Sequence, residues 1–455
     1  MLQKYFTKFF LFILSTAFVL PADADAPFGS ILLHHVVNDI NKVYVPIHIG
    51  GLDLSITKHV ILVLSIGLIT VLMVGMALPS LASAWVTVKG DGDRWMKFGA
   101  GFRSSFSSSN NAGADAGGSG TDFTLDNMRL YTLTQVHKNI IFEFNTEVRS
   151  NGTGQLRTGN NNGNLHDIHV LDARATLTVG GFDVWFGKFL PPSERSNLDG
   201  PYFLNAYNFP LATSPYPAIA AGRDNGAMIF KEYDGGKFKW AYGVFEGRTN
   251  ATNANQNPDQ SDNLQHAFRA TYNFWQPEPG YYTTSTYYGA KDVLAVAFVF
   301  RYENDGAGNS NIDRTLQGDY TGWNVDVLME KKLSNGGVVN LEGSFYDTDT
   351  DDKEDGTITQ GQSYRALASY LLPNKIGWGK FQPYVRYQHS TQDNGCAGAL
   401  CGPTDFGTRG IMEGGLNYII DGHNAKIMSS FTSDTQSSNA QPVDTFTLGM
   451  QFQLL

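Results

Sequence analysis

After residue 84 the sequence has no apolar run long enough to cross a bilayer as a helix, which needs about 20 residues, so a bundle of membrane helices is excluded. Charge is also scarce. Charged residues make up 17% of the 455 residues, whereas ordinary soluble domains carry roughly 25%. What charge there is has no basic surplus. A net charge of −10 argues against a nucleic-acid partner, which would need a cationic face. No G-x-S-x-G nucleophile elbow occurs. Cysteine is limited to Cys396 and Cys401, in the Gly-flanked stretch Asn394–Gly402. With no Cys or His beside them they make a poor metal site; in an exported protein they are expected to oxidise to a disulfide, two free thiols being the alternative. Glycine (49), phenylalanine (30) and tyrosine (21) are plentiful, a mixture that favours strands and turns.

The first 84 residues differ from the rest. Tyr5–Leu20 is apolar, with Lys4 and Lys8 near its start and Ala22, Ala24 and Ala26 after it, so residues 1–26 have the form of a secretory signal. Val60–Leu81 is a second apolar run. Ala82-Ser83-Ala84 follows it and points to cleavage before Trp85, making 60–84 a signal peptide for what comes next; uncut, it is long enough to span as a helix. Between them, Ile31–Ile40 (with His34 and His35) and Leu54–Val60 resemble the N-terminus of the a subunit of the membrane sector of ATP synthase. That resemblance covers about the first 65 residues, with 27–59 as the fragment between the two apolar runs. It implies no proton path, because that family's path needs later membrane helices bearing an essential Arg. His34 and His35 read as a surface pair on a short extended or helical piece.

From Trp85 onward apolar and polar residues alternate. Phe446, Leu448, Met450, Phe452 and Leu454 share one face of the last strand; Thr445, Thr447, Gly449, Gln451 and Gln453 share the other. Sixteen such stretches occur, each near the ~10 residues that a tilted strand needs to cross a membrane. Long polar connections alternate with short ones. The long ones are Ser107–Asp122, Ser150–His166, Pro191–Asp224, Gly247–Asp262, Glu303–Gly318, Thr348–Gln360, Thr391–Gly407 and Thr435–Pro442; His137–Asn139, Asp234–Gly236 and Asp421–His423 are short. This is the pattern of extracellular loops and periplasmic turns, and the even strand count puts both ends of the barrel in the periplasm. The fold expected is all-β: a 16-stranded antiparallel transmembrane β-barrel over 85–455, with long extracellular loops, an inward-folded third loop and a short helical N-terminal extension.

One face of the strands carries charge, including Arg129, Glu143, Glu147, Asp172, Arg174, Arg269 and Arg386. An Arg facing lipid at the midplane costs ~2–4 kcal/mol, so this face belongs inside, around water. The longest loop, Pro191–Asp224, holds Tyr202, Phe203, Tyr207, Phe209 and Tyr216. So many aromatics argue against a loop left in solvent, and folding into the lumen as a constriction is the reading favoured over an outer lid. Lys188 precedes it and Arg195 and Arg223 lie in it, and with Arg129, Arg174, Arg269 and Arg386 they are the candidate constriction cations.

Gly187–Pro192, Asn197–Tyr202, Gly222–Gly226, Tyr287–Leu294 and Leu416–Asn424 resemble segments of the phosphate-selective porin O and P family, over about residues 90–455. The resemblance implies a trimeric, sixteen-stranded outer-membrane porin that passes small hydrophilic solutes or anions such as phosphate. Acids interspersed among the cations (Glu143, Glu147, Asp172, Asp326, Glu342, Glu413) reduce the expectation to a general or weakly anion-preferring pore. Neither a cofactor nor catalysis is expected. A lipase-type barrel enzyme is the rival. Its best hint, His389 beside Ser390, fails because adjacent strand residues point to opposite faces. A fused ATP synthase fragment is the other alternative.

Overall fold

Period-two alternation suits a strand whose two faces meet different media. The computed structural model describes residues 85–110, 118–150, 166–211, 222–247, 263–308, 317–353, 360–392, 408–436 and 441–455, with short paired segments between 43 and 57. In it the alternation closes into an antiparallel barrel. The strands are β1 (Trp95–Ser109), β2 (Gly120–His137), β3 (Ile140–Ser150), β4 (His166–Val179), β5 (Phe182–Phe189), β6 (Asp224–Tyr233), β7 (Phe238–Phe245) and β8 (Gln265–Asn273). They continue as β9 (Val293–Gly308), β10 (Gln317–Lys332), β11 (Val338–Asp349), β12 (Gly361–Leu371), β13 (Lys380–Gln392), β14 (Thr408–Asp421), β15 (Ala425–Gln436) and β16 (Val443–Leu454). These are the sixteen strands expected from alternation.

Each strand pairs with its neighbours in sequence, and β16 closes on β1 from Thr445↔Ser109 to Leu454↔Ala100. Val86–Lys89 pairs with the remainder of β1, from Val86↔Phe98 to Lys89↔Trp95, and so fills the seam beside the end of β16. The wall therefore has no unpaired edge, which a membrane would not tolerate. Outward rows are apolar and exposed: Phe98, Phe102, Leu130, Phe142, Phe186, Phe298 and Val385 are examples. Inward rows are polar and buried: Arg129, Glu147, Arg174, Arg269, Asp326, Arg386 and Glu413.

One connection departs from the expected alternation. The β8–β9 link, on the short-turn side, runs from Phe274 to Asp292, and much of it is buried. Tight turns do close β2–β3, β4–β5 and β6–β7 on that side.

Residues Met1–Ser80 form a separate unit. Within it Val43–Val45 pairs with Ile56–Thr57, and His48–Ile49 with Leu52–Asp53. Both apolar segments, the expected helical extension, and Cys396 and Cys401 lie outside the described residues.

Candidate functional site

Pro191-Pro192 ends β5, because proline cannot donate to the ladder. The chain then turns into the lumen. A short helix, α1 (Arg195–Asp199), starts at Glu194, whose carboxylate accepts from Asn197 N at 3.1 Å, and stops at Gly200, whose φ of 64° suits glycine. All of α1 is buried. From there to Leu211 the chain crosses the lumen, and the walls take hold of its backbone carbonyls. Arg301 Nε donates to Pro192 O (3.0 Å) and Arg269 Nη1 to Ser193 O (2.8 Å). Gln451 reaches Tyr202 O (2.7 Å), Lys426 Nζ reaches Leu204 O (2.8 Å) and Asn417 reaches Asn205 O (2.7 Å). Arg103 donates to Tyr207 O, and Arg386 Nη1 to Asn208 O (2.9 Å). These donors come from β8, β9, β13–β16 and β1, so the loop is tethered to two separate parts of the wall.

Two tyrosines fix its height. Tyr202 lies against Gly101 and Tyr207 against Gly449, so closely that a Cβ at either glycine would fall within 2.6 Å and 2.2 Å of the ring. Arg103 stacks over Tyr207 at 4.1 Å, and the phenol donates to Asp126 at 2.7 Å.

The β8–β9 segment meets this loop inside the barrel. Arg195 donates to both oxygens of Glu278 (2.9 and 2.7 Å) and to Thr284 O (2.9 Å), and its backbone N–H donates to Asp326 (3.2 Å). Thr283 and Ser285 hydroxyls donate to Asp199 at 2.6 Å each. Tyr281 packs with Phe189, Leu190 and Leu198, and its phenol donates to Leu190 O at 2.9 Å. Glu330 holds the rest of the segment, accepting from Thr286 Oγ1, Tyr287 N and Gly289 N at 2.6, 2.9 and 2.7 Å. His423 joins the two, its ring 4.9 Å from Phe203 and 4.8 Å from Tyr288. The lumen is thus narrowed by two interlocked segments rather than by the third loop alone. The expectation of a water-lined interior is corrected to this extent: from β5 through β16 to β1 the inner wall packs against protein.

The sequence-named cations divide into groups. Arg269 and Arg386 hold loop carbonyls, as above, and also pair with acids: Arg269 with Asp326 (3.0 Å) and Arg386 with Glu413 (2.9 Å). Arg195 lies in α1 and clasps Glu278. Arg129, Arg174 and Arg223 gather on the β2–β5 side, where Arg129 pairs with Glu147 (2.9 Å), Arg174 with Glu143, and Arg223 with Asp172 (3.1 Å). Asn145 links Glu143 to Asp172, and Arg174 stacks on Trp185 at 3.3 Å. Lys188 stands apart. It shares the outward row of β5 with Val184 and Phe186, in register with Ala173 and Asn225. The constriction position expected for it is therefore corrected to the outer wall. Alternation with Val184 and Phe186 was the signal that could have placed it there. Glu278, Asp326 and Glu330 were not singled out as constriction residues, since only the fold brings them to α1 and the β8–β9 segment.

Burial alone would raise the Glu278 carboxyl, but Arg195 overrides it and holds the group down to about 2. A depressed carboxyl contributes stability that is present above its ordinary value, about 4.3, and is lost as pH falls through the folded value. The clasp is therefore expected to hold at pH 4 and to fail only as pH approaches 2. Conductance followed between pH 7 and 2 checks this, and opening centred near pH 5 would refute it. Burial pushes His423 down to about 3, so the imidazole stays neutral from pH 7 to about pH 4 and takes up its proton only toward the acid end of that range.

No protein-family model and no curated protein sequence matches the chain. Among solved structures it is similar to Pseudomonas putida OprB, at high pH, with a TM-score of 0.54 and 9% identity over 79% of this chain and 94% of that one. It also matches Salmonella typhi OmpF in complex with daunomycin (TM-score 0.49, 13% identity, 81% and 100%) and the outer membrane channel DcaP of Acinetobacter baumannii (0.47, 10%, 80% and 99%). The fold is that of a Gram-negative outer-membrane β-barrel. Its closed wall, apolar outside and polar inside, suits that membrane.

Proposed function

We propose that the barrel is a narrow outer-membrane channel through which small hydrophilic solutes diffuse passively, with at most a slight preference for anions. The observation that carries this reading is the β2–β5 wall, where Arg129, Arg174 and Arg223 each meet an acid and no unbroken row of one sign forms. Mixed signs give weak selectivity, whereas a ladder of unpaired Arg would favour phosphate. The channel carries no catalytic step: His389 stacks on Tyr364 on the outer row, while Ser390 bonds Ser363 at 2.8 Å on the inner row. The mature protein begins at Trp85, which intact mass of membrane-extracted protein checks; residues 27–84 retained would refute that start.

Purified protein in planar bilayers is expected to give small, discrete current steps, and a reversal potential close to zero or slightly anionic in a salt gradient. Added phosphate should leave it little changed. Absence of steps would refute the channel, and strong block by phosphate would refute weak selectivity. In the same assay Glu147→Gln leaves Arg129 without its acid, and is expected to move the reversal potential toward anions. An unchanged potential would remove this wall from the permeation path.

A further inference from the structure

The outward rows of the strands carry few cations, and at the short-turn end these gather in one sector. Short turns mark the periplasmic end of such barrels. Lys231 lies on the outward row of β6 between Ile229 and Tyr233, and Lys331 on that of β10 beside Val339. Among the described residues the other strands carry neither lysine nor arginine on their outward rows at this end, and Lys97, Lys239, Lys380 and Lys426 lie on inward rows. Lys237, just before β7, curls onto the same outer surface as Lys231 and Lys331.

Each of the three ammoniums rests on aromatic rings. Lys231 Nζ lies 4.8 Å from the Phe182 ring and 5.7 Å from that of Tyr233. Lys237 Nζ is 5.9 Å from the Tyr272 ring, and Lys331 Nζ 5.2 Å from the Trp275 ring. All four rings are exposed. Tyrosine and tryptophan settle where a membrane meets water. The lysines therefore stand at the level of lipid headgroups, and the outward rows of Phe186 and Ile229 run on into hydrocarbon. Nearby acids leave a positive surplus. Asp183 and Glu232 lie on inward rows, and Glu232 accepts from Gly280 N at 2.7 Å. Asp292 pairs with Lys331, and Asp234 stands in the turn.

Two of these lysines also hold the feet of the β8–β9 segment. Lys237 Nζ donates to Phe274 O (2.9 Å) and Trp275 O (3.0 Å), where the segment leaves β8. Lys331 pairs with Asp292, where it returns to β9. Trp275 thus has one ammonium at its carbonyl and another over its ring.

We infer that Lys231, Lys237 and Lys331 bind the headgroup of an anionic phospholipid in the periplasmic leaflet, at a site centred on Trp275. Such a lipid fits a face that is cationic at headgroup level and apolar beyond it. The inference uses only the outer wall and stands or falls independently of the channel reading.

Native mass spectrometry of the detergent-extracted barrel tests it, with phosphatidylglycerol and phosphatidylethanolamine of the same acyl chains as probes. Both carry a phosphate diester, and only the first has net charge. Wild type is expected to retain phosphatidylglycerol on the order of tenfold more strongly. Lys231→Gln, Lys237→Gln and Lys331→Gln together should bring the two lipids level. Lys375→Gln with Lys380→Gln, at the same end but off this surface, should leave the preference intact. Heat-modifiable migration checks that each variant keeps its barrel. Position is read separately, with all three lysines in place. Brominated phosphatidylglycerol in phosphatidylethanolamine vesicles should quench tryptophan fluorescence, and most of that quenching should be lost in Trp275→Phe and kept in Trp378→Phe. Equal retention of the two lipids by wild type overturns the inference. So does a preference that survives the triple substitution, or quenching that Trp275→Phe leaves unchanged.

Discussion

Replacing Arg195 with alanine is expected to raise single-channel conductance several-fold and to make it noisy. Arg195 is 1% exposed and satisfies Glu278 and Asp326 together. Removing one member of a buried pair leaves the other, Glu278, charged and without its cation, at a cost of about 3–5 kcal/mol, while Asp326 keeps Arg269. The barrel wall keeps its ladder hydrogen bonds, so the loss falls on the junction between α1 and the β8–β9 segment. The two segments should separate while the barrel survives. Bilayer recordings and heat-modifiable migration measure the two parts of this claim. A variant with wild-type conductance would mean that the clasp does not limit the path, and one that fails to form a barrel would place Arg195 in the wall's own stability.

The second large effect runs against a simple steric expectation. Adding bulk to the lumen should narrow it. Gly101→Val and Gly449→Val together are instead expected to widen it. Their Cβ atoms would occupy the space of the Tyr202 and Tyr207 rings. Tyr207 cannot swing aside without losing Arg103 from its face and Asp126 from its hydroxyl. Overpacking of this kind costs about 1–3 kcal/mol per site, and the loop, lying inside the wall rather than within it, is the part free to move. Higher conductance in the double variant supports the socket arrangement. Lower conductance would mean that the rings adjust in place and the added methyl groups block the path.

How legible this was depends on what each feature rests on. The strands could be read because period-two alternation is local, as in Phe446 to Leu454. The third loop could be read because its aromatics had nowhere else to go. The β8–β9 segment could not. Tyr281 to Tyr288 is rich in hydroxyls and poor in charge, and its burial depends on Asp199, Glu330 and His423, which are distant in sequence. The arginines illustrate the same limit. Alternation placed Arg269 and Arg386 on the inner face correctly, but whether an inward cation meets a solute, an acid or a backbone carbonyl is decided by what crosses the lumen beside it. Lys188 differs in kind: its row is readable from Val184 and Phe186, and nearness to the loop in sequence does not override the parity of the strand.

The wall grips the third loop chiefly by its peptide carbonyls, and every residue type offers one. Side chains at positions such as Asn208 and Phe209, both exposed, are therefore not needed for attachment. At those positions the crossing segment is an interchangeable insert: the side chains there can be rewritten, by descent or by design, to admit different solutes while Arg195, Tyr202, Tyr207 and the wall's donors keep the loop seated.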